Sequence, residues 1–240
     1  MILYKGAFIM VTNENYCKYC LPLAERLSII DGHIKNGAII PCPDGVIISP
    51  EAEIGAGTVV LPNTILIGLV IVGKGCVIGP NSLIENSVLG DFAIFNQSQC
   101  YDSEIGDNVT AGPFAHIRPN TKIADDARIG NFVEVKNSNI GKGTKISHLT
   151  YVGDSDVGEK VNFGCGTVTV NYDGKEKYRT TIENSAFIGC NTNIIAPLAI
   201  GEHAYIAAGS TLTEDVEPYA LAIARARQIN KENWVKIKEN

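Results

Sequence analysis

The sequence predicts an all-β parallel β-helix, in which short strands wind into a triangular coil. Three observations predict it. An aliphatic residue returns every six positions, a glycine often follows it, and the fifth place of the unit is small or β-branched. From Ile105 the beat runs Ile105, Ala111, Ile117, Ile123, Ile129 and Val135, and a second run is Ile188, Ile194, Ile200, Ile206 and Leu212. Between them the steps are six or five, through Ile140, Ile146, Val152, Val157 and Phe163. Upstream, Ile48, Ile54, Val60 and later Val72, Ile78, Ile84 keep the same beat. Glycine follows in Ile54-Gly55, Ile78-Gly79, Ile105-Gly106, Ile129-Gly130, Ile140-Gly141, Ile188-Gly189 and Ile200-Gly201. The fifth place holds Thr58, Ser82, Thr144, Thr167, Thr192 and Ser210.

Six is not a helical period, but it is a multiple of the strand period of two. One unit therefore gives one short strand and one corner, and three units close a coil of about 18 residues, or about 17 where a step shortens. Aliphatics stack in columns inside, and Gly or Asn relaxes corners where positive φ is useful. A β-sandwich does not keep a six-residue beat through roughly a hundred residues.

Taken in order, residues 1–45 lack the beat and read as an N-terminal cap or linker. Within them Pro22 to Ile34 predicts one short helix, with Leu23, Leu27 and Ile30 on a face. Residues 46–216 are the β-helix. Val170 to Thr181 interrupts it with the polar run Asn171-Tyr172-Asp173-Gly174-Lys175 and reads as a protruding loop (170–181), the kind of irregular segment on a rigid scaffold that often carries function. After Leu212 the beat stops. Residues 217–240 form a short C-terminal segment, and Pro218 to Trp234, with Arg225 and Arg227, reads as helical.

Composition bounds the function. The chain has 240 residues, 45% hydrophobic and 19% charged, which is enough to bury a sizeable core. A net charge of −6 argues against a general nucleic-acid or anionic-membrane surface, while leaving room for a local basic pocket. The longest apolar run, Ile65 to Val72, contains Gly68 and is far short of the ~20 residues of a membrane helix. The N-terminus has no basic region leading into an apolar one and a cleavage site, so no secretory signal is expected. Seven scattered Cys suit reduced thiols in the cytoplasm. Cys17 and Cys20 form one CxxC; without a second pair or spaced His partners they read as ordinary thiols rather than a zinc site.

The columns place candidate site residues. Ile117 and Val135 lie one coil apart, so Arg118 and Lys136 should stack as an outward cationic pair with no acidic residue in register. Surface Lys and Arg are usually just solvated. Two unpaired cations instead suggest a phosphate site, because an anion between them removes their repulsion. Ile129, Ile146 and Phe163 form the preceding column, so Asn131, His148 and Cys165 should stack on the corner at the other end of that face, with Tyr151 pointing outward between. A lone His is more often structural than catalytic, although His is the commonest general base. Five residues separate His148 from the cationic corner, on the order of 15 Å, which is wide for one small sugar. Long side chains, or a neighbouring subunit, would have to close it.

Five segments carry a resemblance. They are Gly112-Pro113-Phe114-Ala115-His116-Ile117-Arg118-Pro119, Gly130-Asn131-Phe132-Val133-Glu134-Val135-Lys136, Ser147-His148-Leu149-Thr150-Tyr151, Asn171-Tyr172-Asp173-Gly174, and Ala220-Leu221-Ala222-Ile223-Ala224-Arg225-Ala226-Arg227-Gln228. In this order and on this repeat they resemble the acetyltransferase domain of the bacterial bifunctional N-acetylglucosamine-1-phosphate uridylyltransferase/glucosamine-1-phosphate acetyltransferases. The similarity is dense from about Ile48 onward and begins near Ile34-Lys35-Asn36-Gly37.

The resemblance implies a left-handed parallel β-helix, against the usual right-handed crossover. It implies acetyl-CoA as co-substrate, no metal for acetyl transfer, and a homotrimer with each site between subunits. His148 matches the catalytic base. Arg118, Lys136, Tyr151 and Asn162 match sugar-phosphate contacts. Asn171 and Tyr172 match groups where sugar and acetyl-CoA meet. Cys165, Cys190, Ala208 and Arg225 match positions touching acetyl-CoA, with Arg225 meeting a CoA phosphate. Some relatives carry Ala and Ser in place of Cys165 and Cys190, so a thiol is not required.

The implied chemistry is coherent. An amine attacks a thioester only when neutral, so a base must take its proton. The tetrahedral oxyanion needs a fixed donor, such as a backbone N–H at a coil corner. A covalent cysteine route is disfavoured, since no His stands at a recognisable nucleophile–base spacing. Residues 1–45 hold no Gly-rich basic nucleotide loop, so uridylyl transfer is not expected from this chain, and a separate uridylyltransferase would supply it. Other acceptors, such as another amino-sugar phosphate or a sugar nucleotide, remain open. A γ-type carbonic anhydrase would need a metal-binding triad that His33, His116, His148 and His203 do not outline, and a non-catalytic trimeric scaffold would not need the motif residues.

Overall fold

The computed structural model describes residues 2–4, 7–9 and 21–235; Cys17 and Cys20 lie outside them. Ile2–Tyr4 and Ala7–Ile9 pair as a short antiparallel ribbon. Helix α1 spans Leu23–Lys35, with Pro22 at its N-cap. The remainder is the predicted parallel β-helix. Among the described residues its strands form three sheets of ten, ten and nine. We number the faces by these sheets. Face one runs from Val59–Val60 to Leu221–Ala222, face two from Ile47–Ile48 to Thr211–Leu212, and face three from Glu53–Ile54 to Leu198–Ile200.

The six-residue beat makes this architecture because each strand is only two to four residues long and can bury one aliphatic. Ile129 pairs with Ile146, which pairs with Phe163, then Ile188 and Ile206, giving one interior column of face one. Ile117, Val135 and Val152 do the same on face two. All are essentially buried. The fifth-place Thr and Ser are buried as well, and each hydroxyl serves the backbone. Thr144 Oγ1, for example, donates to the Gly158 carbonyl at 2.8 Å and accepts the Val161 N–H at 3.0 Å. A buried hydroxyl without such a partner would be destabilising. Corners turn through the left-handed region, at Asn120 (φ 61°), Asn137 (φ 46°) and Asn191 (φ 54°) among others.

Both ends differ from the reading of the sequence. In α1 the predicted face is only partly right: Leu23 and Leu27 are exposed, whereas Ile30 is buried and Ile29 packs on the core. Only the C-terminal half of the helix lies over the core, because the chain enters the first coil at Ala38. The β-helix also begins before residue 46. The Ile39 N–H bonds the Thr58 carbonyl at 2.8 Å, and the Val60 N–H bonds the Ile39 carbonyl at 2.9 Å. At the other end the coil continues past Leu212. Val216 bridges to Ile200, and Leu221–Ala222 pairs with Tyr205–Ile206. The 218–230 stretch is not helical, because the preceding coil supplies the partners, as in Tyr205 N–H to the Ala220 carbonyl at 2.8 Å.

Ile146 sits at the centre of its column with no solvent exposure. Replacing it with alanine should cost about 2–5 kcal/mol of stability, transfer and cavity terms together. A denaturant titration that leaves the midpoint unchanged would contradict this account of the core.

Candidate active site

The site grows out of the corner between faces one and two. Two places past each aliphatic of the Ile129 column stand Asn131, His148, Cys165, Cys190 and Ala208. The register brings them to this corner on successive coils. Asn131 pairs with His148 directly, the Gly166 N–H bonds the Leu149 carbonyl, the Asn191 N–H bonds the Cys165 carbonyl, and the Gly209 N–H bonds the Cys190 carbonyl. Arg225 lies over the end of this line, where a Cβ on Gly209 would be 3.6 Å from its Cδ.

His148 is exposed, and its Nδ1 lies 2.8 Å from Asn131 Oδ1. An amide oxygen only accepts, so this contact places the proton on Nδ1 and leaves the Nε2 lone pair free. Asn131 therefore fixes the tautomer a general base needs, a role the sequence reading did not assign to it.

Face two carries the cations. Arg118 and Lys136 stand one coil apart, as expected, but the expectation of no acid in register was wrong. Arg118 Nη1 donates to Glu134 Oε1 at 2.8 Å, and the other Glu134 oxygen lies 3.9 Å from His116 Nδ1. The period-two rule explains it: Glu134 and Lys136 are two apart on one strand and so share its outer face. A further cation, Lys177, reaches in from the protruding loop. Its ammonium, with partial desolvation, holds Lys136 below its ordinary lysine pKa, while Asp154 pulls the other way. Three cations, Arg118, Lys136 and Lys177, thus meet two carboxylates, Glu134 and Asp154. The balance favours a bound anion.

Tyr151 lies along this face because Gly153 has no side chain; a Cβ there would be 2.3 Å from the Tyr151 hydroxyl. Asn171 Nδ2 donates to that hydroxyl at 3.3 Å and also to Asp154. Asp154 is buried and takes a second bond from Asn137 Nδ2. One buried carboxylate therefore joins the corner, the aromatic and the root of the loop. With both amide hydrogens committed, Asn171 has its carbonyl oxygen left to offer.

The loop between Val170 and Thr180 is the predicted insertion. A Tyr172–Lys177 bridge closes it, and Asp173 Oδ1 accepts the Lys175 and Glu176 N–H groups at 2.7 Å. Arg179 pins its far end with Nε and Nη2 on Asp156 at 2.9 and 2.7 Å, and with Nη1 on the Asn137 carbonyl at 3.1 Å. Tyr172, on that closing bridge, is exposed. Asn162 is the outlier. It stands on face one, between Lys145 and Phe187, and not with Arg118, Lys136 and Tyr151 on face two.

Comparison with known proteins agrees with the repeat. The bacterial transferase hexapeptide model (six repeats) matches residues 102–137 and 179–214. Over those residues the chain carries the repeat that this model describes. Three relatives carry the name bifunctional protein GlmU. The one from Geobacillus thermodenitrificans is 57% identical over 221 residues, 91% of this chain and 48% of that protein. The one from Geobacillus sp. (strain WCH70) is 56% identical over 210 residues, 88% of this chain and 46% of that protein. The one from Halalkalibacterium halodurans is 50% identical over 240 residues, 99% of this chain and 53% of that protein. The chain therefore belongs with the C-terminal half of the GlmU proteins and spans about half their length.

The Arg179 anchor gives a prediction. Arg179 holds the Asp156 carboxyl below its ordinary value. A depressed carboxylate contributes stability that is present above its unfolded pKa, near 4, and lost as pH falls through the folded value. The loop should loosen only below about pH 4. At neutral pH, Arg179→Gln should speed exchange of the Tyr178 amide, which bonds the Asn171 carbonyl, by about two- to five-fold, as befits an exposed pair. Unchanged exchange would mean that Arg179 does not hold the loop.

Proposed function

We propose that this protein transfers the acetyl group of acetyl-CoA to the amine of glucosamine-1-phosphate, giving N-acetylglucosamine-1-phosphate on the way to UDP-N-acetylglucosamine and cell-wall precursors. The observation that carries this reading is the alignment of His148, tautomer fixed by Asn131, with a cation-rich face on one side and the Cys165–Cys190–Ala208 line on the other. Arg118, Lys136 and Lys177 take the phosphate and so position the amine. Tyr151 and Asn171 line the sugar between them. His148 Nε2 accepts the amine proton as nitrogen attacks the thioester carbonyl. The C–N bond forms, the C–S bond breaks, and the thiolate of CoA recovers the proton from His148. Tyr172 and the corner line of Cys165, Cys190 and Ala208 receive acetyl-CoA, with Arg225 on a CoA phosphate.

Asn162 supports a shared site. It lies on the wrong face for its own chain's phosphate group, so it would reach the acceptor of a neighbouring subunit in a homotrimer. Phe114, Phe132 and Leu149, exposed at the corner beside His148, offer apolar area for such packing. Sedimentation at micromolar concentration should therefore report about three times the 25.7 kDa chain mass. A fully active monomer would remove the shared site.

Two other readings are weaker. Among the described residues, no group of three or more His, Cys, Asp or Glu is disposed to hold a metal ion, which gives metal-dependent hydration no support. A covalent route through Cys165 gains proximity, since the coil register stacks it on His148. The Asn131 bond leaves Nε2 to act as base in either route, so the bond does not itself separate them.

Mutation separates the last of these. His148→Ala should lower turnover by about 10²–10⁴-fold in a folded protein, while Cys165→Ala should cost less than about tenfold. The reverse order would install the thiol as nucleophile. Assaying glucosamine-1-phosphate beside other amino-sugar phosphates and sugar nucleotides fixes the acceptor.

A further inference from the structure

Cys165 and Cys190 occupy equivalent places on consecutive coils. Phe163 pairs with Ile188, so the two Cys follow in register, and the Asn191 N–H bonds the Cys165 carbonyl at 2.8 Å. The backbones press together here: a Cβ on Gly164 would lie 2.8 Å from Cys190 Cα. Coils one strand apart set the two Cα atoms about 4.8 Å from each other. That is inside the range a disulfide spans. Side chains in register on consecutive parallel coils leave the corner on the same side, and Cys190 is exposed with Cys165 half-buried. Of the other described thiols, Cys42 is half-buried and donates to Asp44 Oδ2 at 3.4 Å, two residues along the chain. Cys76 and Cys100 are interior, and burial pushes the Cys100 thiol up to about 12.

We propose that Cys165 and Cys190 are a reversible dithiol–disulfide pair at the acyl-donor end of the site, oxidised by a low-molecular-weight disulfide. The pairing of the thiols rests on geometry alone; its placement at the acyl donor rests on the function proposed above. The exposed Cys190, as thiolate, attacks one sulfur of the small disulfide and expels one small thiol. Cys165, deprotonated in turn, attacks Sγ of Cys190 and expels the second. The protein loses two protons and two electrons, and the small disulfide becomes two thiols. Parallel side chains keep the two Cβ atoms nearly as far apart as the Cα atoms, beyond the usual disulfide spacing of about 3.8 Å. The bond therefore forms under strain, which makes it easily reduced and suits a switch better than a staple. Closing it draws the two corners together beside His148, where a displacement of about 1 Å can cost about a hundredfold in rate.

The experiment treats the full chain with excess oxidised glutathione and reads non-reduced peptides by mass. The expected product links Cys165 to Cys190, two hydrogens lighter than the reduced pair and free of glutathione. Acetyl transfer to the amine should fall by about a hundredfold and return with dithiothreitol. In Cys165→Ser, Cys190 should stop at the mixed disulfide and carry one glutathionyl group. Glutathione retained on both residues without a link would overturn the pairing. A link that leaves transfer unchanged would overturn the placement at the acyl donor. If the reduced protein transfers acetyl to no amino sugar, the proposed function fails, and the peptide masses still decide the thiol pair.

Discussion

Everything in this molecule depends on the hydrogen bonds between one coil and the next. A strand of two or three residues has no stability alone. Stacked in parallel, each carbonyl meets the N–H one coil away, and the ladder fixes register to the residue. That register stacks Ile129 on Ile146 and Phe163 indoors, and Asn131, His148 and Cys165 outdoors. The same bonds that build the core thus place the catalytic candidates. A five-residue step shortens a coil without breaking the columns, because the corner absorbs the change and the strand keeps its phase.

Much of this was readable in the sequence because the beat is a direct image of the register. The columns, the corner holding His148 and the inserted loop all follow from counting. What the count could not give is how far side chains reach. Glu134 was readable as an outward neighbour of Lys136, yet only the coordinates show it clasping Arg118. Lys177 carried no signal, since a lysine on the polar insertion between Val170 and Thr180 has no register of its own. Gly153 and Asp154 looked like corner residues; one makes room for a ring and the other anchors it. The two ends were misread for one reason. Near Ile39 and Val216 the beat is broken in sequence while the backbone still pairs with the adjacent coil.

The charges of the site work against one another by design of position. Arg118 has a carboxylate at bonding distance, whereas Lys136 faces Lys177 and depends on the buried Asp154 behind it. Lys136 and Lys177 sit on elements that differ in firmness, a coil and an insertion. The insertion is held at one end by Asn171 on Asp154 and at the other by Arg179 on Asp156. Anchoring both roots to carboxylates two residues apart on one coil brings the loop's lysine to the face without giving the loop a core of its own.

Because each coil touches only the coils above and below, the line from Asn131 to Ala208 takes no support from the coils near Ile48 except through their neighbours. Whole turns could be duplicated or lost there over evolutionary time while the site stayed in place. A single inserted residue within a strand of the line would instead turn the side chains that follow it in that strand to the other face. Tolerance to change in this gene should therefore be quantised, wide for lengths of one coil and for corners or inserted loops, and narrow for strands.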